Sequence, residues 1–287
     1  MRWRNSRESQ NVEDNRGQPP PRGGGLGMKF GLGTIVLVVI AYFLGIDPRV
    51  VMGLAEVGGQ LQQPAQQESV PAAAPSDEMG QFVARVLGET EDTWGEIFRA
   101  GGQEYPPPRL VLFSEAAQSA CGFASAASGP FYCPGDQKVY IDLAFFRQLE
   151  TEFHAGGDFA MAYVLAHEVG HHVQTVLGIS DKVRATQQRA SQEQANQLQV
   201  RMELQADCFA GVWAQHANAK RQILEPGDIE EAMRAAAAVG DDVIQKRVQG
   251  YVVPESWTHG SAQQRQQWFS RGFESGSLQA CDTFAAS

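Results

Sequence analysis

The sequence predicts an α+β fold, mostly helical with a small sheet, preceded by one apolar segment of membrane-spanning length. Three observations carry this expectation. Residues 30–46 form an uncharged run, apolar side chains recur at helical spacing through several stretches after residue 77, and only two short β-rich runs interrupt them. A composition of 43% hydrophobic and 20% charged residues over 287 positions excludes a wholly disordered or collagen-like chain. Charge is distributed unevenly. Residues 1–29 hold six basic side chains (Arg2, Arg4, Arg7, Arg16, Arg22, Lys29) and three acidic ones, whereas the other 258 residues hold 17 basic and 30 acidic groups. A body that acidic repels phosphate backbones, so nucleic acid is not expected as a partner.

Taken in chain order, residues 1–29 are rich in Arg, Asn, Gly and Pro and read as a disordered cytoplasmic tail. Residues 30–46 (FGLGTIVLVVIAYFLGI) read as an uncleaved single-pass anchor in the lipid bilayer. A core helix seldom lacks a polar face over so many residues, and the chain continues Asp47-Pro48-Arg49 rather than into the small-residue site of a cleaved signal peptide. Basic residues before the run place the N-terminus in the cytoplasm and everything after Asp47 outside it, as in a bacterial inner-membrane protein with a periplasmic or extracytoplasmic body. Residues 47–76 are a tether, Gln/Ala/Pro-rich from residue 58 on, and residues 77–287 are one domain. Outside the cytoplasm the four cysteines become disulfide candidates. Pairing Cys121 with Cys133 leaves Cys208 with Cys281; the other two pairings and four free thiols also fit the sequence.

Within the domain, Ser76 precedes a helix that Gly101-Gly102 stops, and strands are expected around Leu110–Phe113 and Lys138–Asp142. A long helix over 158–177 is closed by Gly178. Residues 180–196 read as a helical excursion or a loose arm, and 197–218 as a second long helix. Asp228 and Glu231 form a capping-box pattern for a helix ending at Gly240, and a last helix begins near Ser261.

The chemistry lies in His167-Glu168-Val169-Gly170-His171. The surrounding helix is apolar on nearly every side, so two histidines and a glutamate within it need partners. Residues four apart stack one turn above each other, and one divalent ion satisfies both imidazoles. Glu168 lies about 100° round the helix, too far to ligate from the same face yet placed to act as general base on a metal-activated water. The second apolar helix offers Glu203 as third ligand. Asp207, one turn on, is placed to accept a hydrogen bond from the far nitrogen of a ligand histidine. Two imidazoles and a carboxylate suit zinc best among divalent ions, one per domain. His172 points elsewhere and is given no metal role.

The runs GPFYCPGDQKVYID, AYVLAHEVGHHVQ and ELQADCFAGVW resemble those of the bacterial putative neutral zinc metallopeptidase family, a group of glutamate-type zinc peptidases. The resemblance covers about residues 77–287 and the tail-and-anchor layout. It implies a zincin-like metallopeptidase domain, zinc, peptide or protein substrates, and the roles given above to His167, Glu168, His171 and Glu203. Thr258-His259-Gly260 with Arg265 is similar to a T-H-P-x-x-x-x-R element of membrane-associated zinc peptidases, with Gly260 in place of proline. That similarity makes His259 the expected oxyanion donor, with Tyr251 as runner-up. In related zinc peptidases, a strand such as the one holding Tyr140 pairs with extended substrate. Two rivals fit the same residues: a non-catalytic partner-binding protein with a structural zinc, and a zinc amidase acting on cell wall.

Overall fold

A computed structural model describes residues 1–18, 75–125 and 129–285. The order of elements in the domain is β1 (Val12–Asp14), α1 (Glu78–Ala100), β2 (Arg109–Phe113), β3 (Ala116–Ser119), β4 (Gly122–Ser125), β5 (Phe131–Cys133), β6 (Lys138–Asp142), α2 (Ala144–Thr151), α3 (Asp158–Val176), α4 (Ile179–Gln187), α5 (Gln192–Arg221), α6 (Asp228–Ala238), α7 (Asp241–Gln249) and α8 (Ala262–Ser275). The expected class, helix-rich α+β with small sheets, is what forms.

Strands order β1-β2-β6-β5, parallel from β1 to β6 and antiparallel at β5, with β3 and β4 as a separate hairpin. Alternation along β2 and β6 sorts side chains between two cores. Leu110, Leu112, Val139 and Ile141 join the large helical core, while Val111, Phe113 and Tyr140 pack with Cys133 and Ala117 on the other face. The strand holding Tyr140 lies between β2 and β5, so both its edges are already paired. It cannot accept an extended peptide, contrary to the sequence expectation; β5 is the edge on that side.

Helix α5 runs 30 residues from a capping box at Ser191 and Gln194, with α4 immediately before it. The polar stretch 180–196 is therefore α4 and the entry to α5. Two glycines let α8 lie against α5. A Cβ at Gly211 would sit 2.1 Å from the Phe269 carbonyl oxygen, and one at Gly272 would sit 1.9 Å from that of Cys208. The disulfide Cys208–Cys281 ties the C-terminal segment to the same helix, and Cys121–Cys133 ties the hairpin to β5. The capping box expected at Asp228 does not form: Gly227 is the N-cap, and the carboxylate of Glu231 instead accepts the amide N–H of Phe159 at 3.0 Å.

The largest departure lies at the N-terminus. Residues 1–18 are not a disordered tail, since Met1, Trp3 and Val12 are buried and β1 pairs in register with β2. Trp3 stacks edge-on against Phe82 of α1 at 5.4 Å. Arg7 binds Glu91 and Asp92, and Ser9 and Asn11 donate to Glu91. Acids on α1 thus meet the charges that make this stretch look solvated. Residues 19–29, the apolar run 30–46 and the tether as far as residue 74 lie outside the described residues. Among the described residues, no helix is long and apolar enough to cross a membrane.

Trp3→Ala is expected to cost about 3 kcal/mol, the usual scale for emptying a buried aromatic site. An unchanged urea unfolding midpoint would show that the segment does not dock.

Candidate metal centre

Helix α3 carries both histidines, and its buried residues span the whole sequence from Phe159 to Gln174. It meets α5 at Gly170. A Cβ there would lie 3.0 Å from the carbonyl oxygen of Ala206 and 3.1 Å from its Cα. A side chain there would press the Ala206 backbone back by a few tenths of an ångström, and the close crossing faces Glu203 and Asp207 towards His167 and His171.

His167 Nε2 lies 3.1 Å and His171 Nε2 3.4 Å from the same oxygen, Glu203 Oε2. The three residues are one of the donor groups whose ligating atoms all lie within 4.8 Å of one another. A tetrahedral zinc with ligands at about 2.0–2.1 Å separates its donors by about 3.3 Å, so the donor set and spacing fit zinc. The other nitrogen of each imidazole is already engaged. His167 Nδ1 lies 2.8 Å from Asp207 Oδ1, and His171 Nδ1 lies 2.9 Å from Gln174 Oε1. Both rings therefore direct Nε2 to the centre. Gln174 is held by donating to the Met202 carbonyl and to Gln205 Oε1. Gln174 is not among the residues that the H-E-x-x-H spacing points to, although it lies three residues after His171 on the same face. Gln199 donates to the second Glu203 oxygen at 2.8 Å.

Asp207 is fully buried and serves three groups. Besides His167, it accepts from Tyr163 at 2.5 Å and from Arg265 through both Nε and Nη2, at 2.8 and 2.9 Å. Burial pushes its pKa up, but Arg265 and His167 outweigh that and hold it at about 2. Burial likewise pushes His167 down, yet Asp207 and Glu203 raise it to about 10. Glu203 is held well below the usual carboxylate range despite burial, because His171 and His167 face it. Glu168 is 8% exposed and close enough for its charge to act on His171.

His259 stands half exposed on the loop between α7 and α8. Its Nδ1 lies 3.3 Å from Asp241 Oδ1, and the other Asp241 oxygen accepts the backbone N–H groups of Thr258, His259 and Gly260 at 2.8, 2.6 and 2.9 Å. This carboxylate gathers the loop, a role that no motif around Asp241 signals. Gly260 rests on Val200 and Leu204 of α5 with φ at +90°, a backbone that proline cannot adopt. The loop thus keeps His259 near Glu203, on which its charge acts, while departing locally from the T-H-P pattern. Tyr251 is 61% exposed on the surface beyond α7. His172 is buried between the Tyr132 hydroxyl and the Pro106 carbonyl, apart from the metal group.

A buried helix with two histidines, met by a carboxylate from a second helix beside a small sheet, brings together three side chains that could hold one metal ion. The chain belongs to the putative neutral zinc metallopeptidase family, whose model matches residues 1–284. It is 47% identical over 292 residues to the uncharacterized protein YpfJ of Escherichia coli K12, covering all of both chains. It is also 41% identical over 266 residues to the uncharacterized protein Rv2575 of Mycobacterium tuberculosis H37Rv, covering 86% of this chain and 85% of the relative. No solved structure matches.

With its pKa at about 10, His167 carries a proton at pH 7 in the metal-free protein, and a ligating imidazole must be neutral. Zinc binding at pH 7 should therefore release at least one proton per ion and weaken as pH falls. Calorimetry in buffers of different ionisation enthalpy measures this; zero proton release contradicts the assignment.

Proposed function

We propose that the protein is a zinc-dependent endopeptidase held at the bacterial cytoplasmic membrane through residues 30–46, with its body outside the cytoplasm. The observation that carries the catalytic reading is the convergence of both histidine Nε2 atoms on one Glu203 oxygen, with both Nδ1 atoms already bound elsewhere. Three protein donors leave one tetrahedral position open, as a hydrolytic zinc site requires and a closed structural site does not. The two disulfides support an oxidising compartment.

Zinc, when bound, supplies Lewis-acid activation of water and of the scissile carbonyl. The remaining work falls to side chains of this protein. His167, His171 and Glu203 hold the ion. Asp207 and Gln174 fix the orientation of the two imidazoles, so that neither ring must reorganise during turnover. Glu168 takes the proton of the attacking water and passes it to the leaving amine. His259, oriented by Asp241, donates to the oxyanion that develops on the scissile carbonyl. The edge of β5, unpaired among the described residues, offers backbone groups to an extended substrate beside α3. That grip is main-chain mediated and tolerates many sequences.

Incubating the zinc-loaded protein with a mixed peptide library, followed by mass spectrometry, tests the reading. Cleavage that chelator abolishes and zinc restores is expected. Cleavage of purified wall material alone would point to the amidase, and no cleavage of either with zinc bound to a structural site. Glu168→Gln should retain stoichiometric zinc while losing about 100-fold or more in kcat, the scale of general acid–base catalysis. Full activity in that variant contradicts the base assignment. Glu203→Ala should lose zinc; unchanged affinity would place the third ligand elsewhere.

A further inference from the structure

We propose that the first eighteen residues and the body lie on the same side of the membrane, so that the intervening segment returns to the face it left. The apolar run 30–46 is then not a single-pass anchor. This inference does not depend on the peptidase reading.

Hydrogen bonds that no membrane can separate join the N-terminal segment to the body. Val12, Glu13 and Asp14 pair with Leu110, Val111 and Leu112. The amide of Leu110 donates to the Asn11 carbonyl and the amide of Asn15 to the Leu112 carbonyl, both at 2.8 Å. Glu13 of β1 receives Lys138 of β6 at 2.9 Å and Arg109 of β2 at 3.0 Å. One strand of the central sheet thus belongs to the segment before the apolar run, and the rest to the segment after it.

The two ends of the insertion also meet. Arg16 binds Asp14 and Asp77 at 2.5 Å each, closing a ring across residues 17–76. Pro75 and Arg16 crowd the same spot, since a Cβ at Gly80 would lie 2.4 Å from the Pro75 ring and 3.0 Å from the Arg16 guanidinium. A segment whose ends adjoin on one face must cross a bilayer an even number of times. Between residues 19 and 74 only one run is long and apolar enough for a crossing; residues 47–74 carry Asp47, Arg49, Glu56 and Glu68 among glutamines and prolines. A second crossing has no segment to make it, so the even number is zero.

The basic residues that suggested a cytoplasmic N-terminus have another use. Arg4 binds Glu78, Arg7 binds Glu91 and Asp92, and Arg16 binds Asp77, all on or at the start of α1. A single-pass topology would sever these pairs, remove β1 from the sheet and uncover the apolar sites that Met1, Trp3 and Val12 fill.

Membrane-impermeant maleimide labelling of the full chain in intact and permeabilised spheroplasts tests the proposal. Gln10→Cys and Ala185→Cys report on the N-terminal segment and the body; Gly17→Cys and Lys182→Cys are a second pair should either of the first fail to accumulate. All four positions are exposed, and the parent protein gives the background of the native cysteines. The expected result is that both members of a pair label in intact spheroplasts, or both only after permeabilisation. Labelling of the body in intact spheroplasts with the N-terminal cysteine reached only after permeabilisation would overturn the proposal. So would a mature chain from which the cysteine at position 10 has been cleaved away.

Discussion

The close crossing of α3 and α5 at Gly170 and Ala206 is the constraint on which the rest of the structure depends. The candidate metal donors come from two helices, and the close backbone approach between them goes with distances of 3.1 and 3.4 Å from the two imidazoles to Glu203 Oε2. A methyl group at position 170 would have to push against backbone, which cannot swing aside. The glycine inside the H-E-x-x-H run therefore suits the tight crossing, and it links local sequence to the geometry of the site.

The same crossing concentrates charge in a place water scarcely reaches. His167, Glu203, Asp207 and Arg265 are all buried, and such an assembly is stable only if every member is paired. Asp207 provides that balance by joining His167, Tyr163 and Arg265 in one network. Arg265 reaches it from α8, which lies against α5 through Gly211 and Gly272 and is followed by the segment that Cys281 bonds to Cys208. The orientation of the first histidine thus rests on an arginine almost a hundred residues away, and on the helix contact that delivers it. The candidate site is shaped by three helices, although its three possible donors come from two.

Much of this was legible in the sequence because it is written in local patterns. The helical spacing of His167 and His171, the acids at Glu203 and Asp207, and the apolar flanks around both pairs are short-range signals with one economical reading. Gln174 and Asp241 were harder to find, because a single amide or carboxylate gains meaning only from what it touches. β1 was invisible for a different reason: three residues hold too little alternation to register, and their basic neighbours look solvated until the acids of α1 are seen opposite them. The strand of Tyr140 was found correctly, but its place inside the sheet depends on non-local pairing that no periodicity reports.

The central claim is a mononuclear centre built from His167, His171 and Glu203 with one open position. X-ray absorption at the zinc edge on the full-length zinc-loaded protein measures it directly. The account predicts a shell of nitrogen and oxygen at about 2.0–2.1 Å with scattering from two imidazoles and no sulfur. A zinc–sulfur shell at about 2.3 Å, or scattering from a single imidazole, would contradict it.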